Sequence, residues 1–113
     1  MEKGNFELRD LLDQALLDVR RAARNVETAA KAIELAKVSS KLARKNLEAE
    51  QKRYENGLST SFQVLEIQED LSIALSNEVR SIITYRKAVV AYQKATGELL
   101  EKTGVRLTED AAP

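Results

Sequence analysis

The chain has 113 residues, one domain's worth at most, and its 18 Lys and Arg balance its 18 Asp and Glu. A formal net charge of zero argues against a nucleic-acid partner, because such a binder needs surplus cations to displace counterions from phosphates. With no Cys and no His, the sequence excludes disulfides, Fe–S clusters, thiolate or imidazole zinc sites, Cys nucleophiles and Ser-His-Asp arrangements.

The start, Met1-Glu2-Lys3-Gly4-Asn5-Phe6, lacks the apolar core of a signal peptide. No stretch approaches the roughly 20 apolar residues that span a bilayer as a helix, so the polypeptide taken alone is expected to be soluble. Three Tyr, two Phe, no Trp and a single terminal Pro are few for a compact globule. They suit long helices rich in Ala, Glu, Lys, Leu and Arg.

Alternate steps of four and three from Leu8 land on Leu12, Ala15, Val19, Ala22, Val26, Ala29, Ile33 and Ala36, then on Ser40, Ala43, Leu47, Glu50 and Tyr54. Only Ser40 and Glu50 break this apolar seam, and a period of 3.5 held so long predicts a coiled-coil helix over about 6–55. A second strip, Leu16, Ala23 and Ala30, lies beside the first. It suggests a helix that touches more than one neighbour, with alanines that let those neighbours come close.

The link over 56–60 reads as a helix stop followed by a helix start. Asn56 and Gly57 suit the left-handed conformation that closes a helix C-terminus. Thr60, with Gln63 three residues on, fits a capping box. So short a loop forces the two helices to run antiparallel.

Beyond the link the seam resumes at Ile67, Leu71, Ala74, Glu78, Ser81, Tyr85, Ala88, Tyr92, Ala95 and Leu99, which predicts a second helix over about 61–103. Gly97 falls near its end, Gly104 reads as its outer stop, and residues 104–113 are expected to form a short, loosely ordered tail. The resulting fold class is all-α, a single long antiparallel coiled-coil helical hairpin. Folding about Leu58 pairs positions whose numbers sum to about 116, which sets Ser39 and Ser40 across from Ser76 and Asn77. The polar interruptions of the two halves therefore coincide.

Lys31, Lys37, Lys41, Arg44, Lys45, Lys52 and Arg53 crowd the second half of the first helix. A peripheral membrane-binding role is one reading of that basic run. The plainer one is that cations belong near a helix C-terminus and the acids Glu66, Glu69 and Asp70 near the next N-terminus, with antiparallel packing placing the two clusters side by side. Glu66 and Asp70 share a helix face, but solvated charge is the better account than acid–base work, and the di-iron bundle motif needs a His. No Gly-rich phosphate loop is present. The sequence therefore points away from an enzyme and implies neither metal nor cofactor.

Two segments carry a family resemblance: "KNLEAEQKRYENGLSTSFQVLEIQEDL", then "YRKAVVAYQKATGELL". An Ala- and Leu-rich run leads into Arg53-Tyr54, with Gly57 two residues past Glu55. Thr60, Val64-Leu65 and Gln68 follow, and a Tyr-containing helix ends at Ala95-Thr96-Gly97. Together with "NVETAAKAIELAKVSSKLARKNLE" upstream, this order and spacing resembles the TolC-like outer membrane efflux protein family over roughly Leu8 to Leu107.

The resemblance implies the second-half periplasmic hairpin of a trimeric export channel of a Gram-negative bacterium, serving type I secretion or multidrug export. In that family hairpins of this kind wall a periplasmic tunnel, and their turns meet a periplasmic adaptor (membrane fusion) protein and, through it, an inner-membrane pump. The docking tip it implies is Arg53, Tyr54, Asn56, Gly57, Leu58, Ser59 and Thr60. Gly57 would permit close backbone approach, Leu58 would offer an apolar knob, and Ser59 and Thr60 would offer hydroxyls to caps or to the partner. Barrel strands, a first-half repeat and a signal peptide are missing, so the chain is expected to be a fragment of such a channel that self-associates when isolated. Gln63 stands where the family often has an acid, which removes a charged contact there. The alternative is a free-standing, self-associating helical bundle with no transport role.

Overall fold

The computed structural model describes residues 2–111, with side chains described for residues 7–104. It is all-α, an antiparallel hairpin of two helices, α1 (Glu2–Glu55) and α2 (Ser61–Ala111). No strand occurs among the described residues, and no helix there is long and apolar enough to cross a membrane. The residues group into two compact units, one of Met1–Thr28 with Arg86–Pro113 and the other of Ala29–Tyr85.

Both helices overrun their expected ends. The first begins at Glu2 rather than near Phe6, and the second continues through Gly97 and Gly104 to Ala111. The stretch expected as a loose tail over 104–113 is thus helical as far as Ala111, while residues 112–113 lie outside the described residues. The reason is energetic. Glycine inside a helix costs about 1 kcal/mol relative to Ala, whereas extending a formed helix gains a hydrogen bond for each residue added. Neither Gly97 nor Gly104 has the positive φ that would end a helix. Ser39-Ser40 and Ser76-Asn77 do not break their helices either.

The 3–4 repeat maps directly onto burial. From Leu8 to Glu50 every seam position of α1 is buried or half-buried, and every other residue of α1 from Glu7 onward is exposed. The seam ends one step early, since Tyr54 is exposed. In α2 the expected positions from Ile67 to Leu99 are all at least half-buried except Tyr92, which lies just on the exposed side.

The broader inner face belongs to α2, not α1. Leu75, Ile82, Val89 and Thr96, each seven residues apart, are half-buried beside the α2 seam, whereas Leu16, Ala23 and Ala30 of α1 are exposed. Small residues explain the asymmetry. Every seventh residue of α1 from Ala15 to Ala43 is Ala, and the matching ladder in α2 is Ala74, Ser81, Ala88 and Ala95. Such ladders let helix axes approach, so the larger neighbours on α2 reach around the contact. The Ser81 hydroxyl is turned back onto its own helix, donating to the Asn77 carbonyl at 2.9 Å, and Ser81 therefore packs as a small residue.

Among the described residues only Ala15, Ala29, Ser40 and Glu50 are buried outright, and no large side chain is fully enclosed. A two-helix layer covers one stripe of each helix and leaves the rest in water.

Candidate functional site: the hairpin tip

The tip lies in the unit of Ala29–Tyr85 and is built from backbone upward. The last turn of α1 closes with two bonds, Leu58 N–H to the Arg53 carbonyl at 2.8 Å and Gly57 N–H to the Tyr54 carbonyl at 3.0 Å. This nested pair is the Schellman arrangement, which requires a left-handed residue at its centre. Gly57 supplies it at φ +76°, while Asn56 does not share the conformation. Three residues later Thr60 caps the start of α2: Gln63 N–H donates to Thr60 Oγ1 at 3.2 Å, and Val64 N–H to the Thr60 carbonyl at 3.2 Å. Lys52 and Arg53 in the last turn of α1 complement its dipole.

Only half of the expected capping box forms. Thr60 caps Gln63, but the Gln63 side chain turns to Ser59, its amide oxygen 3.0 Å from Ser59 Oγ. The Ser59 hydroxyl also donates to Glu50 Oε1. One hydroxyl carries one proton, and the carboxylate is the stronger acceptor. Rotating the Gln63 amide to present its NH2 to Ser59 Oγ satisfies all three groups.

Glu50 is the centre of this network. It is buried on the α1 seam, binds Ser59, and forms an ion pair with Arg53 at 3.5 Å. Arg53 in turn donates to the Leu58 carbonyl at 3.4 Å. Three parts of the turn are thereby tied to one carboxylate.

A second polar level lies farther up the same unit. Ser40 Oγ is 2.9 Å from Glu78 Oε2 across the seam and 3.0 Å from the Lys37 carbonyl on its own helix. Glu78 sits two places beyond Ser76, the residue expected opposite Ser40. Nearer the tip, Asn46 and Asp70, and likewise Ala49 and Ile67, line one shallow groove, in keeping with the expected register.

The basic and acidic clusters flank the turn, but they do not pair. Among the described residues the one ion pair is Arg53–Glu50, inside α1. Lys41, Arg44, Lys45, Glu66, Glu69 and Asp70 are exposed and unpaired. The acids also begin after the first turn of α2, which contains none, so they complement its dipole less than expected. No group of three or more acids among the described residues is arranged to hold a metal ion.

No family model, curated protein or solved structure matches the chain. What the tip offers must be read from its own geometry.

Of the seven tip residues, Arg53, Ser59 and Thr60 have their polar groups engaged inside the turn. Gly57 serves its φ rather than a close approach within this chain, because a Cβ there would meet nothing within 4 Å. Tyr54, Asn56 and Leu58 remain outward, with Leu58 68% exposed. Glu50 and Gln63 were not among the expected tip residues. The signal for Glu50 was its charge on a seam position.

The empty space around Gly57 makes a clean prediction. Gly57→Ala is expected to destabilise the hairpin by about 1–2 kcal/mol through backbone strain alone, and Gly57→Asn by less. Urea unfolding of the two variants checks this, and equal losses would show that left-handed strain is not the cause.

Proposed function

We propose that the chain is the periplasmic tunnel hairpin of a TolC-like outer membrane export channel, a structural wall element whose tip docks a periplasmic adaptor protein. The observation that carries this reading is a turn in which the polar groups of Arg53, Ser59 and Thr60 are engaged internally while Leu58 is left standing in solvent. A rigid apolar knob on a preorganised turn is suited to docking, because little ordering entropy is lost on contact. The family resemblance supplies the rest: a trimeric parent, an adaptor, and an inner-membrane pump reached through it. The hairpin's part in export is mechanical, with no reaction assigned to it.

The test is Leu58→Asp in the full-length parent. Export is expected to fall about tenfold or more while trimer assembly is unchanged, since a buried unpaired carboxylate at a docking surface is costly. Normal export by an assembled Leu58→Asp channel would remove the docking role.

A second reading, a free-standing self-associating bundle, is favoured by one observation. Exposed apolar residues such as Leu35, Val38 and Phe62 line the outer faces of both helices.

A further inference from the structure

The chain's asparagines are Asn5, Asn25, Asn46, Asn56 and Asn77, and Asn56 alone is followed by glycine. Asn25, Asn46 and Asn77 are exposed, as Asn56 is, but they lie inside α1 and α2, whereas Asn56 stands in the turn. An asparagine side-chain amide is open to attack by the backbone nitrogen of the next residue. Glycine is the residue that hinders this attack least, since it has no side chain and the widest backbone freedom. A Cβ added at Gly57 would meet nothing within 4 Å, so the space beside it is open to water.

What opposes the reaction is the backbone. Gly57 N–H is bonded to the Tyr54 carbonyl at 3.0 Å, and attack requires that nitrogen to give up its proton. Asn56 N–H still makes the helical bond to the Lys52 carbonyl at 3.2 Å, and its φ is not positive, so the residue keeps the right-handed conformation of the helix. Ring closure must swing the Asn56–Gly57 peptide out of that conformation to bring its nitrogen against Cγ. The same motion breaks the bond from Leu58 N–H to the Arg53 carbonyl. Glu50 supports these bonds at one remove, through Ser59 and through Arg53, which fasten the residues after the glycine.

We propose that Asn56 is a self-modification site latched by the turn, where an opening of the tip is made permanent by conversion of asparagine to isoaspartate. In the open turn the Gly57 nitrogen forms a bond to Asn56 Cγ, the Cγ–Nδ2 bond breaks, and ammonia leaves with the proton that the nitrogen lost. Water, the co-reactant, then opens the five-membered imide. Addition at Cγ gives aspartate with the chain unchanged. Addition at the backbone carbonyl gives isoaspartate, in which the main chain runs through Cγ and is one methylene longer. The longer chain displaces the Gly57 and Leu58 amides from the Tyr54 and Arg53 carbonyls. The new carboxylate also stands at the C-terminal end of α1, where the helix dipole disfavours it. The isoaspartate turn therefore does not close again, and Leu58 loses the support that presents it. This conversion rests on the geometry of the turn and not on the export reading.

The test ages the full chain in mildly alkaline buffer, with peptide mapping by mass spectrometry to place each amide-to-acid change and an isoaspartyl methyltransferase to count isoaspartate. Conversion is expected at Asn56 and not at Asn25, Asn46 or Asn77, with isoaspartate in excess of aspartate. Because the reaction proceeds from the open turn, its rate tracks the open population. It is expected to be about tenfold or more slower in the folded chain than in the chain unfolded in guanidinium, and about tenfold faster in Glu50→Leu than in the parent. Asn56→Gln, which cannot close the five-membered ring, is expected to stay unmodified at that position even when unfolded. In isoaspartate-containing chains, hydrogen exchange at the Gly57 and Leu58 amides is expected to be about tenfold or more faster. Equal rates in folded and unfolded chains would show that the turn is no latch. Conversion of the helical asparagines alongside Asn56, or an unmodified Asn56 in the unfolded chain, would remove the site. Faster Gly57 exchange in Glu50→Leu without faster conversion would show that the reaction does not pass through the open turn. Parent-like exchange at Leu58 in isoaspartate-containing chains would remove the permanence. None of these readings involves export, so their failure is distinguishable from failure of Leu58→Asp.

Discussion

Ser40→Ala alone is expected to lower the stability of the hairpin by about 1.5–3 kcal/mol, whereas Ser40→Ala combined with Glu78→Leu is expected to raise it by about 1–2 kcal/mol. The single change removes the hydroxyl that faces Glu78 at 2.9 Å and leaves a half-buried carboxylate against a methyl group. The double change removes both polar partners and fills the level with a Leu, which continues the seam of Ile33, Leu47 and Leu71. Urea titrations of the parent, both single variants and the double variant give the coupling energy directly. Protein concentration must be held constant, because association adds to apparent stability. A cycle with additive effects would mean that Ser40 and Glu78 act independently.

The gain in the double variant has a structural consequence. The seam around this level is repetitive, and a shift of one heptad sets Ala against Ala almost as before. A single buried polar contact penalises such shifts, as a lone Asn does in coiled coils. The double variant is therefore expected to be more stable but less uniform, with a broader distribution of assembly states in native mass spectrometry.

What the sequence disclosed follows from the physics of each feature. The inner face of α1 was legible residue by residue, because burial on a two-helix seam depends only on a period of 3.5 and that period is unbroken from Leu8 to Glu50. The turn was legible because Gly57 and Thr60 act locally, on backbone groups within a few residues. Features that depend on the partner helix were not. Which helix carries the broader inner face, at Leu75, Ile82 and Val89, depends on how closely the alanine ladders approach. The Ser40–Glu78 pair depends on a Glu side chain that reaches Ser40 from two places beyond the position expected opposite it. The helix runs past Gly104 because the cost of glycine inside a long helix is modest, so glycine alone is a weak stop. At the tip, Glu50 registered as an interruption of the seam, although its carboxylate is what the turn is fastened to.

Glu50→Leu is expected to separate the stability of the hairpin from the order of its tip. Leucine at this buried seam position gains apolar contact, so global unfolding is expected to change by less than about 1 kcal/mol. The turn loses the acceptor for Ser59 and the ion-pair partner of Arg53, and Arg53 is then less firmly placed to donate to the Leu58 carbonyl. Hydrogen bonds to a charged group are worth about 1.5–3 kcal/mol, so local opening of the turn is expected to rise about tenfold or more. Hydrogen exchange at the Gly57 and Leu58 amides, both bonded to α1 carbonyls, reads that opening without reporting on the long helices. Glu50→Gln retains an acceptor oxygen and is expected to fall between the parent and the Leu variant. If exchange at Gly57 and Leu58 were unchanged in Glu50→Leu, the backbone bonds and the Thr60 cap would suffice to order the turn. The carboxylate would then be a tolerated polar residue rather than the anchor that holds Leu58 in place.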